Sequence, residues 1–236
     1  MEQCDTPIAP NEIQAIIFDF DNVIVRGSEE CKSRAWDAVF PPNSSHYQKL
    51  QEAQKLFAHG KGDRFDMIGH VLDVSTKEKL RLDTKVIRTA ELYNNAVQKC
   101  ITGIGIAQSD FDTLLSLKEK FPLYIISATP EEALHETLAN LSKLYQVDLL
   151  KIFSLALGTP SNKVENFLKI QNHSSIPFGN MLMVGDGRND YAAAHDVGSL
   201  FLGVTTSANE QTWSTASFTK ITAIDELPKA LGFGSL

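Results

Sequence analysis

Short apolar runs bounded by polar residues recur along this chain. The first covers roughly residues 14–19 and another covers residues 181–185, and both lead into acidic residues. A brief apolar run with polar residues at its ends is typical of a buried strand. Similar runs at residues 123–126, 150–157 and 200–202 alternate with helical patterns. This alternation predicts βαβ units, and therefore an α/β fold with a parallel sheet.

The stretch from residue 29 to about residue 101 has a different pattern, without a strand signal. Its apolar residues recur every three or four positions, which places them on one face of a helix. The longest series consists of Val86, Ala90, Tyr93, Val97 and Ile101. A glycine-rich break at residues 60–63 separates two predicted helices. We therefore expect an all-helical cap at residues 27–102, inserted into a core formed by residues 1–26 and 103–236.

Composition and charge exclude several classes of partner. The formal net charge is −7 at pH 7 and no basic stripe compensates it, which argues against nucleic acid or an anionic membrane as a partner. No apolar run approaches the ~20 residues of a membrane-spanning helix, and residues 1–12 lack the pattern of a secretory signal. Cys4, Cys31 and Cys100 are odd in number and widely spaced, so we expect reduced thiols in a cytoplasmic protein. We expect a monomer or homodimer.

Acidic residues follow two of the predicted strands. Asp19 and Asp21 follow the first strand, and Asp186 and Asp190 follow the strand at residues 181–185. Parallel strands finish on the same edge of a sheet, where ligands bind, so these carboxylates should meet there. Carboxylates that close repel one another and raise one another's pKa. A hard divalent cation, Mg²⁺, is the simplest way to offset that charge.

Two further polar residues occupy similar positions. Ser127 ends the strand at residues 123–126, and Lys163 follows the break at residues 158–160, where Ser161 is expected to cap the next helix. This set suits phosphoryl transfer. A carboxylate can attack phosphorus, and a second acid can protonate the leaving oxygen. A hydroxyl and an ammonium group can hold the phosphoryl oxygens.

In this order the four sites resemble the motifs of the haloacid dehalogenase (HAD) superfamily. The matching residues are Asp19-Phe20-Asp21, Ser127, Lys163 and the segment from Gly185 to Asp190. The spacing is similar over residues 13–204. The helical insert resembles the C1-type cap of phosphoglycolate-phosphatase-like members. The resemblance implies a doubly wound, Rossmann-like α/β core with an inserted helical cap.

The resemblance also implies roles in catalysis. Asp19 is the expected nucleophile, and Asp21 is the expected general acid and base. Ser127, with Ala128 beside it, is expected to bind the substrate phosphate. Lys163 is expected to steady both the nucleophile and the phosphate.

The same resemblance implies a metal site. Asp186 is expected to ligate Mg²⁺ together with Asp19 and the backbone carbonyl of Asp21. Asp190 is expected to support the metal through water.

Two segments depart from the family pattern. Asn22 stands where members usually have glycine, and asparagine is the next most tolerant residue in a left-handed conformation. We expect the turn to survive and Asn22 to lie beside the substrate. The segment Arg26-Gly27-Ser28 lacks the acidic and serine pair common at the cap hinge, so it identifies no substrate.

The cap sequence from Gly60 to Arg64 has two interpretations. It is either an ordinary connection between helices or a turn that selects the substrate. In the second interpretation Lys61 or Arg64 meets an anionic part of the substrate, and arginine has the better geometry.

The sequence thus predicts a Mg²⁺-dependent phosphatase that hydrolyses a small phosphorylated metabolite through an aspartyl-phosphate. A phosphomutase on the same scaffold would use the same aspartates. A dehalogenase is disfavoured, because that chemistry resembles members without the second motif aspartate and Asp21 is present. A non-catalytic phospholigand-binding protein is disfavoured because no catalytic residue is missing.

Overall fold

The computed structural model describes residues 10–57, 62–74, 80–207 and 209–233. The chain divides into two compact units. The core unit comprises residues 1–27 and 104–236, and the cap unit comprises residues 28–103.

The core unit is built on a parallel sheet, which within the described residues has six strands. These are β1 (Ala15–Phe18), β2 (Leu123–Pro130), β3 (Phe153–Thr159), β4 (Met181–Gly185), β5 (Leu200–Val204) and β6 (Lys220–Ile221). Their order is β3-β2-β1-β4-β5-β6, so the chain winds outward in both directions from β1. The predicted doubly wound α/β sheet is confirmed.

The two central strands are apolar on both faces. Every residue of β1 and of β4 is buried, as expected for a parallel sheet covered by helices on both sides. Phe18 pairs with Ile125 of β2 and with Val184 of β4. The residues that follow β1 and β4 therefore emerge side by side, at the point where the strand order reverses and ligands bind.

The described part of the cap unit is helical. Its helices are α1 (Ser28–Val39), α2 (Tyr47–Leu56), α3 (Arg64–Val71) and α4 (Thr84–Ile104), of which α4 continues to the first residue of the core unit. The apolar series on α4 is buried as predicted. Trp36 of α1 packs on Tyr93 of α4, with ring centroids 4.0 Å apart.

Cys31 of α1 and Cys100 of α4 form a disulfide. The expectation that all the cysteines are reduced thiols is therefore wrong for this pair, while Cys4 lies outside the described residues. The two residues are 69 positions apart in sequence, but packing of α1 on α4 brings their Cα atoms to 5.5 Å. That separation lies within the usual range for a disulfide, and only tertiary structure reveals it.

Helices cover the sheet of the core unit. They are α5 (Gln108–Lys118), α6 (Glu131–Tyr145), α7 (Leu149–Ile152), α8 (Lys163–Ser174), α9 (Arg188–Val197), α10 (Glu210–Trp213) and α11 (Leu227–Ala230). Short 3₁₀ turns occur at Pro10–Glu12, Phe178–Asn180 and Ile224–Glu226. Among the described residues no helix combines the length and the apolarity that a membrane span requires.

Two local expectations near β3 differ from the structure. The strand predicted at residues 150–157 begins only at Phe153, because α7 occupies the residues before it. The cap of α8 is Asn162 and not Ser161. The Asn162 side chain accepts a hydrogen bond from the Glu165 N–H at 2.9 Å, and the Glu165 carboxylate accepts one from the Asn162 N–H at 2.9 Å. This reciprocal capping box satisfies two N–H groups, which a lone serine cannot do.

Candidate active site

The carboxyl edge of β1 and β4 brings three carboxylates together. The Asp19 N–H donates to the Val184 carbonyl at 2.9 Å, which continues the pairing of β1 with β4 by one residue. Gly185 allows the acidic loop to fold back, because a Cβ there would lie 2.4 Å from the Asp190 Cβ. As a result, ligand oxygens of Asp19, Asp186 and Asp190 lie within 4.8 Å of one another.

Lys163, the first residue of α8, places an ammonium group in this cluster. Its Nζ lies 3.0 Å from Asp19 Oδ2 and also contacts Asp190 Oδ1. The end of β3 approaches the end of β2 closely, since a Cβ on Gly158 would lie 2.3 Å from the Thr129 carbonyl oxygen. The Lys163 side chain is only 11% exposed, so the ion pairs are shielded from water.

The cluster carries more negative charge than Lys163 neutralises. Burial is the main cause that raises the pKa of Asp19, and repulsion by Asp190 is the second. The Lys163 cation offsets these two effects only in part. Burial and the charge of Asp19 raise the pKa of Asp186 to about 6. Burial disfavours the Lys163 cation, but Asp19 and Asp190 outweigh burial and raise the lysine pKa above its ordinary value. The raised pKa values of the two carboxyl groups and of the lysine all follow from a surplus of carboxylates in a poorly solvated site.

This donor set fits a divalent metal. Carboxylate oxygens are the ligands that Mg²⁺ prefers, and a cation would offset the surplus charge. Asp190 is already engaged through both oxygens, since Oδ1 contacts Lys163 and Oδ2 accepts the Gly187 N–H at 2.9 Å. That arrangement favours direct ligation by Asp19 and Asp186, with Asp190 in the supporting role expected for it.

Asp21 is held apart from the three grouped carboxylates. Its Oδ2 accepts a hydrogen bond from the Thr129 hydroxyl at 2.9 Å. Thr129 was not predicted as a site residue, although it lies two positions after Ser127. The pair is 108 residues apart in sequence, so only the pairing of β1 with β2 brings them together.

The expected phosphate-binding residues lie at the end of β2. Ser127 is buried, and its Oγ accepts the Thr129 N–H at 3.1 Å, which leaves its own proton available for a ligand. Ala128 is exposed. The backbone of Asn22 is left-handed, with φ of 58°, as expected for a residue in a glycine position. Its Nδ2 donates to Asp186 Oδ2 at 3.3 Å, so Asn22 faces the acidic loop.

The cap residues form a separate group within the cap unit. Gly60 and Lys61 lie outside the described residues. Asp63 caps α3 through hydrogen bonds to the Phe65 and Asp66 N–H groups, so this part of the turn serves as a helix connection.

Arg64 borders a cavity of about 620 Å³ in the cap unit. Its Nη1 donates to Asn94 Oδ1 at 3.2 Å. Its buried Nε has no hydrogen-bond partner among the described residues. The guanidinium groups of Arg64 and Arg81 lie 5.8 and 4.5 Å from the centre of the Phe65 ring. The cavity thus combines two cationic groups with an aromatic face.

Two residues missed by the sequence analysis contact the acidic loop from the segment after β5. The side chains of Asn209 and Trp213 both donate to the main-chain carbonyl of Asp186. Neither residue belongs to a recognisable motif, and no pattern in the sequence singles them out.

Comparison with known proteins agrees with this architecture. No match was found among curated proteins. Three solved structures are similar to the chain over nearly its whole length, at identities that show the fold alone. A candidate beta-phosphoglucomutase from Thermotoga maritima has a TM-score of 0.64 and 15% identity, covering 93% of this chain and 99% of its own. A predicted phosphoglycolate phosphatase from Haemophilus somnus 129pt has a TM-score of 0.61 and 17% identity, covering 92% and 97%.

The third is a candidate HAD hydrolase, YfnB from Bacillus subtilis, solved with magnesium bound. Its TM-score is 0.64 and its identity 15%, covering 93% of this chain and 99% of its own. The family model for haloacid dehalogenase-like hydrolases matches residues 13–198, which is most of the chain and includes all four motifs. The resemblance drawn from the motifs is therefore confirmed, and the protein belongs to the haloacid dehalogenase-like hydrolases.

Proposed function

We propose that this hydrolase is a Mg²⁺-dependent phosphatase that acts on a small phosphorylated metabolite through an aspartyl-phosphate. One observation carries the proposal. Asp19 is 7% exposed and lies within the three-carboxylate group, with the Lys163 ammonium 3.0 Å from its Oδ2. A carboxylate held between a cation and a metal-binding group is placed to attack phosphorus and not to serve as a surface charge.

In the first step Asp19 attacks the phosphorus atom. The bond between Asp19 and phosphorus forms while the bond to the leaving oxygen breaks. Protonated Asp21 gives its proton to that oxygen, which departs as an alcohol. Thr129 orients the Asp21 carboxyl group through the hydrogen bond at 2.9 Å.

In the second step Asp21 accepts a proton from water. The water oxygen attacks phosphorus, the bond to Asp19 breaks, and inorganic phosphate leaves. Ser127 and Lys163 hold phosphoryl oxygens in both steps, with Ala128 and Asn22 beside them. Mg²⁺, when bound by Asp19, Asp186 and the Asp21 carbonyl with support from Asp190, orients the phosphate and offsets its charge.

The remainder of the substrate is assigned to the cap. The core motifs provide for a phosphoryl group and a metal only, so discrimination among leaving groups has to come from another part of the chain. Arg64 carries a buried Nε without a hydrogen-bond partner among the described residues. We assign it an anionic part of the substrate, because guanidinium groups bind carboxylate and phosphate in two-point geometry.

Two alternatives use the same residues. A phosphomutase would return the phosphoryl group from Asp19 to a sugar, and an isomerisation assay with a bisphosphate activator separates it from a phosphatase. A non-catalytic phospholigand-binding protein would bind phosphate compounds without turnover when Mg²⁺ is supplied.

Asp19→Asn tests the proposal directly. An amide is a poor nucleophile and a poor Mg²⁺ ligand, so turnover should disappear while the circular dichroism spectrum stays unchanged. The wild-type protein should form an acyl-phosphate analogue with a phosphate-mimicking fluoride, and the variant should not. Chelation of the metal should abolish turnover by the wild-type protein, and added Mg²⁺ should restore it. Most of the activity remaining in Asp19→Asn, or after exhaustive chelation, would end this mechanism.

A cytoplasmic location belongs to the proposal, although the structure links Cys31 to Cys100. Reducing systems in the cytosol keep thiols reduced, whereas disulfides persist in oxidising compartments. The proposal therefore predicts that this pair, oxidised in the structure, is reduced in cells. Alkylation at the moment of cell lysis decides between them. Modified Cys31 and Cys100 support the cytoplasm, and an unmodified, linked pair contradicts it.

A further inference from the structure

One main-chain carbonyl at the centre of the acidic loop is held by two side chains. The Asp186 oxygen accepts a hydrogen bond from Asn209 Nδ2 at 2.8 Å and another from Trp213 Nε1 at 3.0 Å. Both donors come from the segment that follows β5. A carbonyl oxygen has two lone pairs, so these two bonds saturate it and fix the plane of the peptide that follows Asp186.

Asn209 is itself rigidly held. Its second amide hydrogen is donated to the Val204 carbonyl at 3.1 Å, and its Oδ1 accepts the Thr206 N–H at 2.7 Å. The side chain therefore links the end of β5 to the acidic loop through three hydrogen bonds. Because both the oxygen and the nitrogen of this amide are hydrogen-bonded, the side chain has one allowed orientation. The Asn209 side chain therefore fixes the position of the Asp186 carbonyl.

Trp213 is fixed by packing. It is 6% exposed and lies in an aromatic cluster with centroid distances of 5.2 Å to Phe218 and 6.5 Å to Phe201. Tyr191 belongs to the same cluster, 6.3 Å from Trp213, and it directly follows Asp190. The cluster thus supports the acidic loop at both Asp186 and Asp190.

Restraint of this kind matters because Asp186 lies beside carboxylates that repel it. Without a cation, Asp19 favours any movement of the loop that carries the Asp186 carboxylate away. We propose that Asn209 and Trp213 are positioning residues that set the metal affinity of this site, by holding the Asp186 main chain where its carboxylate faces Asp19. The inference rests on the metal requirement of the proposed function. Groups that orient metal ligands commonly change metal affinity about 10–100-fold when they are removed.

The test measures Mg²⁺ binding without substrate. The full-length protein is titrated with Mg²⁺ alone, and the rise in melting temperature gives an apparent Kd. Trp213→Phe removes the indole N–H and keeps an aromatic ring in the cluster, and Asn209→Ala removes the amide. Each should weaken Mg²⁺ binding roughly 10-fold. In both variants turnover should return to the wild-type kcat at saturating Mg²⁺, because no group that touches substrate is lost.

Two control variants match these changes. Asn180 donates the same kind of bond, from Nδ2 to the Glu12 carbonyl at 2.6 Å, at the opposite end of β4. Asn180→Ala should leave the Kd for Mg²⁺ unchanged. Trp36→Phe makes the same substitution in the cap unit, and it should also leave the Kd for Mg²⁺ unchanged.

The outcomes separate this inference from the proposed function. An unchanged Kd in a folded Trp213→Phe variant overturns the inference, and so does a kcat that stays low at saturating Mg²⁺. If Asp186→Ala abolishes the response to Mg²⁺ in the same experiment, the proposed metal site stands although the positioning role fails. A wild-type protein that shows no response to Mg²⁺ overturns both. Should Asn209→Ala fail to fold, Trp213→Phe still decides the question.

Discussion

Charged residues are used differently in the two units of this protein. The core unit has exposed ion pairs such as Lys151–Asp148, but it also contains a buried charge cluster, with Asp190 1% and Asp19 7% exposed around the Lys163 ammonium. In the cap unit the interacting charges are exposed, as in the Arg81–Asp63 pair, whose side chains are 67% and 46% exposed. Exposed pairs contribute little to stability, whereas buried charges are costly to desolvate. Under the proposed function, the core keeps this energetically costly cluster because the chemistry depends on it.

The stability of the cap must therefore come from elsewhere. Its buried α4 stripe and the contact of Trp36 with Tyr93 supply apolar packing, and the disulfide links α1 to α4. Perturbing charge should affect chemistry in the core, while perturbing the disulfide should affect folding in the cap. This contrast leads to four experiments.

The largest effect is expected for Asp21→Asn. Loss of general acid help should lower kcat/KM about 10²–10⁴-fold for sugar phosphates, whose leaving groups need a proton. Aryl phosphates, which leave unaided, should lose far less. The measurement is the ratio of kcat/KM for the two substrate types. Equal losses on both would give Asp21 a structural role.

The disulfide is the next largest expected effect. In the chain-entropy treatment, closing the loop between Cys31 and Cys100, which are 69 positions apart in sequence, contributes about 4 kcal/mol. The double variant Cys31→Ser/Cys100→Ser should lose hydrogen-exchange protection in the cap helices. Strands β1 and β4 should keep theirs, and Cys4→Ser serves as the control. Equal loss of protection in both units would contradict the separation drawn here.

Arg64→Ala should have a smaller and more selective effect. Removal of a charge-assisted hydrogen bond should lower kcat/KM for the best metabolite found in a substrate screen. The loss of transition-state stabilisation should be ~1.5–3 kcal/mol. Hydrolysis of a small aryl phosphate should barely change, since it offers nothing for this arginine to bind. Arg88→Ala, at an exposed position on α4, is the matched control. Unchanged kinetics on the best substrate would return Arg64 to a structural role.

The smallest effect is a pH dependence of stability without metal. Asp186 has a folded pKa of about 6, raised from 3.8 mainly by burial. The folded state therefore holds its proton more tightly than the unfolded state, and stability should fall as pH rises from about 4 to about 6. Asp19, whose pKa is raised to about 7, adds a slope of the same sign. Saturating Mg²⁺ should flatten both slopes, whereas Asp186→Asn should remove only the part that belongs to Asp186.

The control for that experiment is Asp110, a core residue outside the cluster. Burial also raises the pKa of Asp110, so it adds a slope of the same sign that Mg²⁺ does not remove. Melting curves with and without Mg²⁺ separate the contribution of the carboxylate cluster from that of Asp110. A slope that Mg²⁺ leaves untouched would mean that Asp186 does not meet the metal.

The fold and the grouping of the motif residues at one edge of the sheet could be predicted because their signals in the sequence are local. Asp19 and Asp186 each follow a short apolar run, and parallel strands finish on one edge. Lys163 and Ser127 could be identified as candidates only because they occur in the expected order between the two acidic motifs. The left-handed turn at Asn22 was predictable from the conformational tolerance of asparagine, and the structure confirms it.

The other residues act through bonds that no local pattern encodes. Thr129 meets Asp21 across 108 positions, and Trp213 reaches the Asp186 carbonyl across 27. The disulfide likewise depends on how α1 packs against α4. Strand β6 has two residues and helix α10 has four, which is too short for periodicity to show. In each case the missing information is tertiary.

Gly27, the last residue of the core unit before the cap unit begins, has a further consequence. It adopts a left-handed φ of 86°, and a Cβ on it would lie 3.8 Å from Ile104 Cδ1. The two places where the core chain is interrupted are therefore neighbours. An insert that departs and returns at one junction can be lengthened, shortened or exchanged without altering the register of the sheet. If the cap selects the substrate, as proposed, selectivity can therefore diverge by replacement of the whole insert while the residues at the edge of the sheet are inherited unchanged.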